Sequence, residues 1–292
     1  WSGWSASEIP AGPPMPAAAP TTAEIPGVGS QAQMQVRWQP GNANGDPIDA
    51  FELQVYEGPT LRSTLTPGAG ATSQAVTVQT SETAYTFRIR AHNKAGWGEW
   101  SPMSAPRRGV NKPGAPSLSS VTPGDRALTL AWTPGARNGA KTSEIQYQYS
   151  LNGGNWAAMP GDNVVRGLTN GQNYNVRVRG VATVDGTQYG GDPSNQVAGN
   201  PYGPLRNPEV SASQNPRSVT FAWDARPAAN GRDISVRIRV DGGGWQGVGT
   251  TGNRTVGDGY SENHTIDVEV TDTAGQRIVR SAQQSSGAAP QP

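Results

Sequence analysis

Apolar residues in this chain recur in twos. In MQVRW they fall at Met34, Val36 and Trp38, in ALTLAW at Leu128, Leu130 and Trp132, and in SVTFAW at Val219, Phe221 and Trp223. A period of two turns one face of a strand toward a core. The three tryptophans stand 94 and 91 residues apart, so the pattern repeats at about the length of one small domain. A second alternating strand follows each Trp after 47, 42 and 41 residues: YTFRIR from Tyr85, YNVRVR from Tyr174 and HTIDVEV from His264. Between the two lies a third strand, in AFELQVYEG, EIQYQYSLNGG and DISVRIRVDGG. The last two run into Asn152-Gly153 and Asp241-Gly242, which predict tight hairpins because such turns need positive φ. No stretch sustains the three-and-four spacing of a helix.

The Trp of the first strand, the Pro-rich entry, the Tyr opening the later strand and the Leu six residues before it (Leu168 and Tyr174) resemble fibronectin type III domains. The resemblance implies an all-β chain of three tandem immunoglobulin-like, fibronectin type III β-sandwiches, with the corner tyrosines bonded back to the preceding turn. Residues 11–109 and 110–203 form the first two, and 204–284 a third of fibronectin type III or another immunoglobulin-like type, since His264 replaces the Tyr there. Residues 285–292 read as a flexible tail. Residues 1–10 read as the last strand of a truncated upstream domain, because Trp1, Ser2, Gly3, Trp4 and Ser5 repeat Trp97–Ser101 at an offset of 96.

Composition agrees. The 292 residues include 38 Gly and 25 Pro, and only 15% are charged, as many short strands and turns require. A net charge of +1 gives no field to attract nucleic acid or an anionic membrane. Cysteine is absent, which points to a cytosolic or an exported bacterial protein. Arg outnumbers Lys by 20 to 3, the usage of a GC-rich genome.

Trp1–Ser5 spells WSGWS and Trp97–Ser101 spells WGEWS. The first matches the WSxWS box of cytokine-receptor fibronectin modules and the second differs by Gly98. On a polyproline-like path, with three residues per turn, Trp97 and Trp100 share a face. Arg88 and Arg90, outward on the neighbouring strand, then interleave with them as a cation–π ladder closed by Ser101. The ladder is read first as a stiffener and second as a protein-binding surface. It should be partial in the second repeat, which keeps Arg177 and Arg179 but has Tyr189-Gly190-Gly191-Asp192. It should be absent in the third, where Asp267 and Glu269 replace the arginines.

Two histidines, no Cys and no carboxylate cluster leave no cast for catalysis, a metal or a cofactor, so the expectation is no enzyme. The function expected is binding, adhesion or spacing by monomeric modules of an extracellular bacterial surface protein, anchored by sequence outside this fragment, with a protein or glycan ligand. The resemblance extends to actinobacterial surface proteins that carry such modules, and the cytokine-receptor-like box implies a host cytokine such as tumour necrosis factor as partner. The alternative is an accessory region of a secreted polysaccharide hydrolase.

Overall fold

A computed structural model describes residues 10–25, 27 and 29–291. The first sandwich holds β1 (Thr21–Ile25), β2 (Gln31–Arg37), β3 (Ala50–Glu57), β4 (Thr60–Leu65), β5 (Ser73–Gln79), β6 (Ala84–Asn93), β7 (Gly96–Trp97) and β8 (Arg107–Arg108). The second holds β9 (Ser117–Gly124), β10 (Ala127–Thr133), β11 (Ile145–Leu151), β12 (Ala157–Ala158), β13 (Val164–Arg166), β14 (Tyr174–Val184), β15 (Thr187–Gly190) and β16 (Val197–Gly199). The third holds β17 (Glu209–Gln214), β18 (Val219–Asp224), β19 (Ile234–Val240), β20 (Gln246–Val248), β21 (Thr251–Val256), β22 (Asn263–Asp272) and β23 (Arg277–Ser285). The chain groups into two compact units, one running to residue 117 with 133–149 and 178–195, the other holding 118–132, 150–177 and the residues from 196 onward.

One topology is used three times. The three-stranded sheets run β1-β2-β5, β9-β10-β13 and β17-β18-β21. The larger sheets run β4-β3-β6-β7, β12-β11-β14-β15 and β20-β19-β22-β23, with β8 added to β6 and β16 to β14. The last strand of the sandwich is thus broken into two short pieces in the first two and continuous over nine residues in the third.

Alternation places the cores as the sequence predicts. Met34, Val36, Trp38, Phe51, Leu53, Phe87 and Ile89 pack together in the first sandwich, and Val219, Phe221, Trp223, Ile238, Ile266 and Val268 in the third. Leu128, Leu130, Val165 and Val176 are buried in the second. The Tyr85 hydroxyl donates to Gln79 O at 3.0 Å, and the Tyr174 hydroxyl accepts the Thr169 N–H at 3.0 Å, so both corner tyrosines tie the turn before their own strand.

Trp132 departs from the expectation of three buried tryptophans: it is half-buried. Its strand β10 pairs with the short β13 only over Ala127–Thr129, so the indole lies beyond the end of the ladder, its N–H on Asn163 Oδ1 at 3.3 Å. In the third sandwich, by contrast, Trp223 faces Gly252 in register on β21. A Cβ at Gly252 would stand 2.5 Å from the indole, so the absent side chain makes room for the ring.

The chain enters each sandwich through one clamp. Gly12 N–H donates to Asn44 O and Met15 N–H to Asn42 O, while Asn44 Nδ2 donates to Pro13 O. The same three bonds recur as Asn111 to Asn138, Gly114 to Ala136 and Asn138 Nδ2 to Lys112 O. They recur again as Gly203 to Asn230, Arg206 to Ala228 and Asn230 Nδ2 to Pro204 O. The glycine after each asparagine has positive φ and presses on the entering backbone. A Cβ on Gly139 would stand 2.1 Å from Gly109 O, and one on Gly231 2.6 Å from Pro201 O. Those two carbonyls also accept the N–H of Ser81 and of Gly171, at the turns before β6 and β14. Turn, linker and Asn-Gly corner therefore meet at a single peptide in each joint.

Side chains complete the first joint. Arg107 pairs with Glu24 at 3.2 Å, Arg108 with Glu144 at 2.7 Å, Lys112 with Asp192 at 2.7 Å and Arg137 with Glu82 at 2.7 Å. Read from sequence, Arg107-Arg108 is a solvated linker pair; instead both are partnered, and Arg108 has a side-chain exposure of only 12%. The Tyr189 hydroxyl donates to Glu24, and burial followed by that carboxylate pushes its pKa well above the usual tyrosine range.

Candidate functional site

Strand β6 turns Arg88, Arg90 and His92 outward because Phe87, Ile89 and Ala91 between them fill the core. Its neighbour β3, in register, sets Gln54 opposite Arg88 and Glu52 opposite Arg90. The chain after β7 then runs beside β6 with a period of three. Gly98, Ser101 and Ser104 donate their N–H groups to the carbonyls of Ala91, Ile89 and Phe87, each at 2.8 Å. Every third residue on one side thus meets every second on the other, as a polyproline-like strand against a β-strand must.

Such a strand cannot return a carbonyl to each N–H of β6. Serine hydroxyls do it instead: Ser101 Oγ accepts the Ile89 N–H and Ser104 Oγ the Phe87 N–H, both at 3.0 Å. Each hydroxyl in turn donates a hydrogen bond to the next residue's carbonyl, Pro102 O and Ala105 O. Both serines are buried. Ser104 is absent from the sequence reading; its signal is the spacing of three from Ser101.

Trp97 and Trp100 consequently share a face, and the arginines interleave with them, Arg90 between the two indoles and Arg88 beyond Trp100. The Arg88 guanidinium carbon is 4.6 Å from the Trp100 ring, and that of Arg90 is 4.4 Å from Trp100 and 4.7 Å from Trp97. Tyr56 extends the stack at one end, 5.3 Å from Arg88, and His92 at the other, 4.8 Å from Trp97. The order along the stack is Tyr56, Arg88, Trp100, Arg90, Trp97, His92. The edges of the guanidinium groups are also engaged. Arg88 Nε donates to Gln54 Oε1 and its Nη2 to the Tyr56 hydroxyl, both at 2.8 Å, while Arg90 forms an ion pair with Glu52. His92 Nδ1 lies 2.6 Å from Asp49. Trp97, next to the His92 end, keeps 40% of its surface exposed. The related box at Trp1, Ser2, Gly3, Trp4 and Ser5 lies outside the described residues.

The second sandwich keeps the path. Gly191 and Ser194 donate to Gly180 O and Val178 O, and Ser194 Oγ accepts the Val178 N–H at 3.0 Å. Its arginines meet amides here, Arg177 on Gln196 and Arg179 on Gln148, and Tyr189 is committed to Glu24.

The third sandwich carries a stack where none is expected. Arg237 and Arg239 on β19 lie 4.9 and 4.7 Å from the Trp245 ring beside β20. Charge has moved across one strand pair: Glu269 and Asp267 on β22 stand opposite Arg237 and Arg239 in register and form ion pairs with them. Glu269 is buried and also pairs with Arg277 of β23. Burial alone would raise its carboxyl, but Arg237 and Arg277 together hold it below the usual carboxylate range. The Ser281 hydroxyl, then Arg239, do the same for Asp267. His264 takes the corner position, its Nδ1 2.8 Å from Asp241. The Asp241 hydrogen bond, with Glu262 in support, raises its pKa despite burial. No group of three or more His, Cys, Asp or Glu that could hold a metal ion occurs among the described residues.

Comparison with known proteins places residues 18–107 in a fibronectin type III domain, whose family model they match. Domains of this kind commonly act as non-catalytic binding or spacing modules. The described residues form three tandem β-sandwiches of one topology, the first of which holds the matched residues. Among solved structures, the FN1-FN3 domains of chicken CNTN1 are similar at 18% identity, over 94% of this chain and 100% of that one, with a TM-score of 0.32. No curated protein sequence matches the chain. No helix among the described residues is long and apolar enough to cross a membrane.

Proposed function

We propose that this chain works outside the cell as a run of non-catalytic spacing and binding modules of a bacterial surface protein. The observation that carries the spacing role is the clamp repeated at Asn44, Asn138 and Asn230, with turn, linker and corner sharing one peptide at each of the two joints. A flexible tether needs no such construction, because Gly/Ser-rich linkers move freely without it. The ladder on β6 serves the same end. Both faces and edges of its guanidinium groups are engaged within the sandwich, so it stiffens a strand that has few backbone bonds. The partner is a protein or glycan at the cell surface, a host cytokine being the protein candidate that the Trp97–Ser101 box suggests.

The location is tested by labelling intact cells of the producing organism with an antibody against this fragment. Labelling of unbroken cells is expected; labelling only after permeabilisation would refute the surface role. Cytokine binding is tested by titrating tumour necrosis factor onto immobilised chain, where saturable binding supports the protein partner and a flat response removes it.

A further inference from the structure

The two joints differ in how their charges are used. In the first, Arg107, Arg108, Lys112 and Arg137 each have a carboxylate partner. In the second, Arg126, Arg206 and Arg232 form no ion pair with any described residue. Arg232 stacks on Tyr202, 3.5 Å from the ring centroid, and its Nε–H is buried without an acceptor.

These arginines line two clefts that share Asn170 and Gly231. One, of about 590 Å³, is walled by Asn170, Asn200, Tyr202, Arg232 and Asp233; the other, of about 390 Å³, by Arg126, Thr169, Asn170, Arg206 and Asn230. Each has the size of a small-ligand site. Two carboxylates lie nearby: Asp125 accepts Asn170 Nδ2 at 2.7 Å, and Asp233 is exposed. The lining sets amides, hydroxyls and guanidinium groups, with Pro123, Leu168 and Ala229 among them, around one aromatic ring. Asn170 and Asn230 are spent on each other, on Asp125, on the Arg126 N–H and on Pro204 O, but Asn200 has no side-chain partner among the described residues, and its amide can both donate to and accept from sugar hydroxyls. Neither cleft offers the apolar anchor pocket that a peptide side chain would fill.

We propose that the clefts at the second joint bind an acidic saccharide of one or two rings, its carboxylate on Arg232 and a second acidic or hydroxyl group reaching Arg126 and Arg206. This rests on the reading of the chain as binding modules and names the ligand class. An unpaired planar guanidinium is the group best matched to a carboxylate, through two parallel hydrogen bonds.

The test is a titration of the full chain, labelled with nitrogen-15, using digalacturonate and, separately, neutral digalactose. Digalacturonate is expected to give saturable shifts of the amides of Asn170, Gly171, Gly231 and Arg232, with neutral digalactose about tenfold weaker or more, the worth of one charge-assisted bond. Arg232→Lys keeps the charge but loses the fork, so affinity should fall by about tenfold. Arg206→Ala, at an exposed site, should weaken binding with the melting temperature unchanged. Equal binding of both sugars, tight binding of a penta-glutamate peptide, or no shift at millimolar sugar would overturn the proposal. Cells that label only when broken would refute the surface role without altering this titration, so the two ideas fail separately.

Discussion

Ser101 and Ile89 are joined by two hydrogen bonds, one of which uses a side chain where a β-ladder would use a carbonyl. Ser101 N–H donates to Ile89 O at 2.8 Å, and Ser101 Oγ accepts the Ile89 N–H at 3.0 Å. Ser101→Ala leaves the Ile89 N–H buried and unmatched, which costs about 1–3 kcal/mol. Denaturant unfolding followed at the first sandwich should show that loss. Ser194→Ala should do the same to the second, through Val178.

The ladder should respond to the loss of a plane as well as of a charge. Arg90 lies between two indoles, so Arg90→Lys removes two stacking contacts, each worth about 0.5–1 kcal/mol when exposed. Trp100→Ala and Arg90→Lys should lower the melting temperature of the first sandwich alike, and their double mutant should lose less than the sum. Strict additivity in that cycle would show that the pair does not interact.

Core depth separates the repeated tryptophans. Trp38 is 5% exposed and Trp38→Ala should cost about 3–5 kcal/mol, whereas half-buried Trp132, beyond the end of its strand pairing, should cost less. Equal losses from chemical unfolding of the two variants would contradict the difference in burial.

The third sandwich should be acid-sensitive through Glu269. Its folded pKa is depressed, so its contribution is present above the unfolded value, about 4.3, and is lost as pH falls through the folded one. His264 works in the opposite sense. Its folded pKa is raised, so its contribution is full below the unfolded value, about 6.5, and fades as pH rises through the folded one. Unfolding the full chain across pH 3–8 with Glu269→Gln and His264→Phe separates the two: the first should flatten the acid limb, the second the limb near neutrality. A parallel shift of the whole curve in either variant would contradict this assignment.

The cores were legible because a period of two marks buried positions such as Phe87 and Ile89 directly. The face shared by Trp97 and Trp100 was legible as well, since a period of three can be read once a polyproline path is assumed. Ser104 and Ser194 were not, because a serine that replaces a carbonyl looks like any loop serine until its neighbour strand is known. The Trp245 stack escaped for a related reason. A ladder sought on β22 alone overlooks that a sheet face is two-dimensional, and that Arg237 and Arg239 on β19 reach it equally well. The Asn-Gly corners at 44–45, 138–139 and 230–231 carry no sequence mark of their role, because their partners are linkers about 30 residues away in sequence.

The spacing role stands on the joints, and pulsed dipolar spectroscopy tests them most directly. One spin label is placed at exposed Thr64 and another at exposed Thr183 in the full chain, across the first joint and within one compact unit. The account predicts a narrow distance distribution that broadens in Asn138→Ala and in Gly139→Ala, the latter strained at positive φ by more than about 1 kcal/mol. Both variants should keep each sandwich folded. A distribution already broad in the unmodified chain, or one that neither substitution alters, would contradict a built joint and with it the central claim.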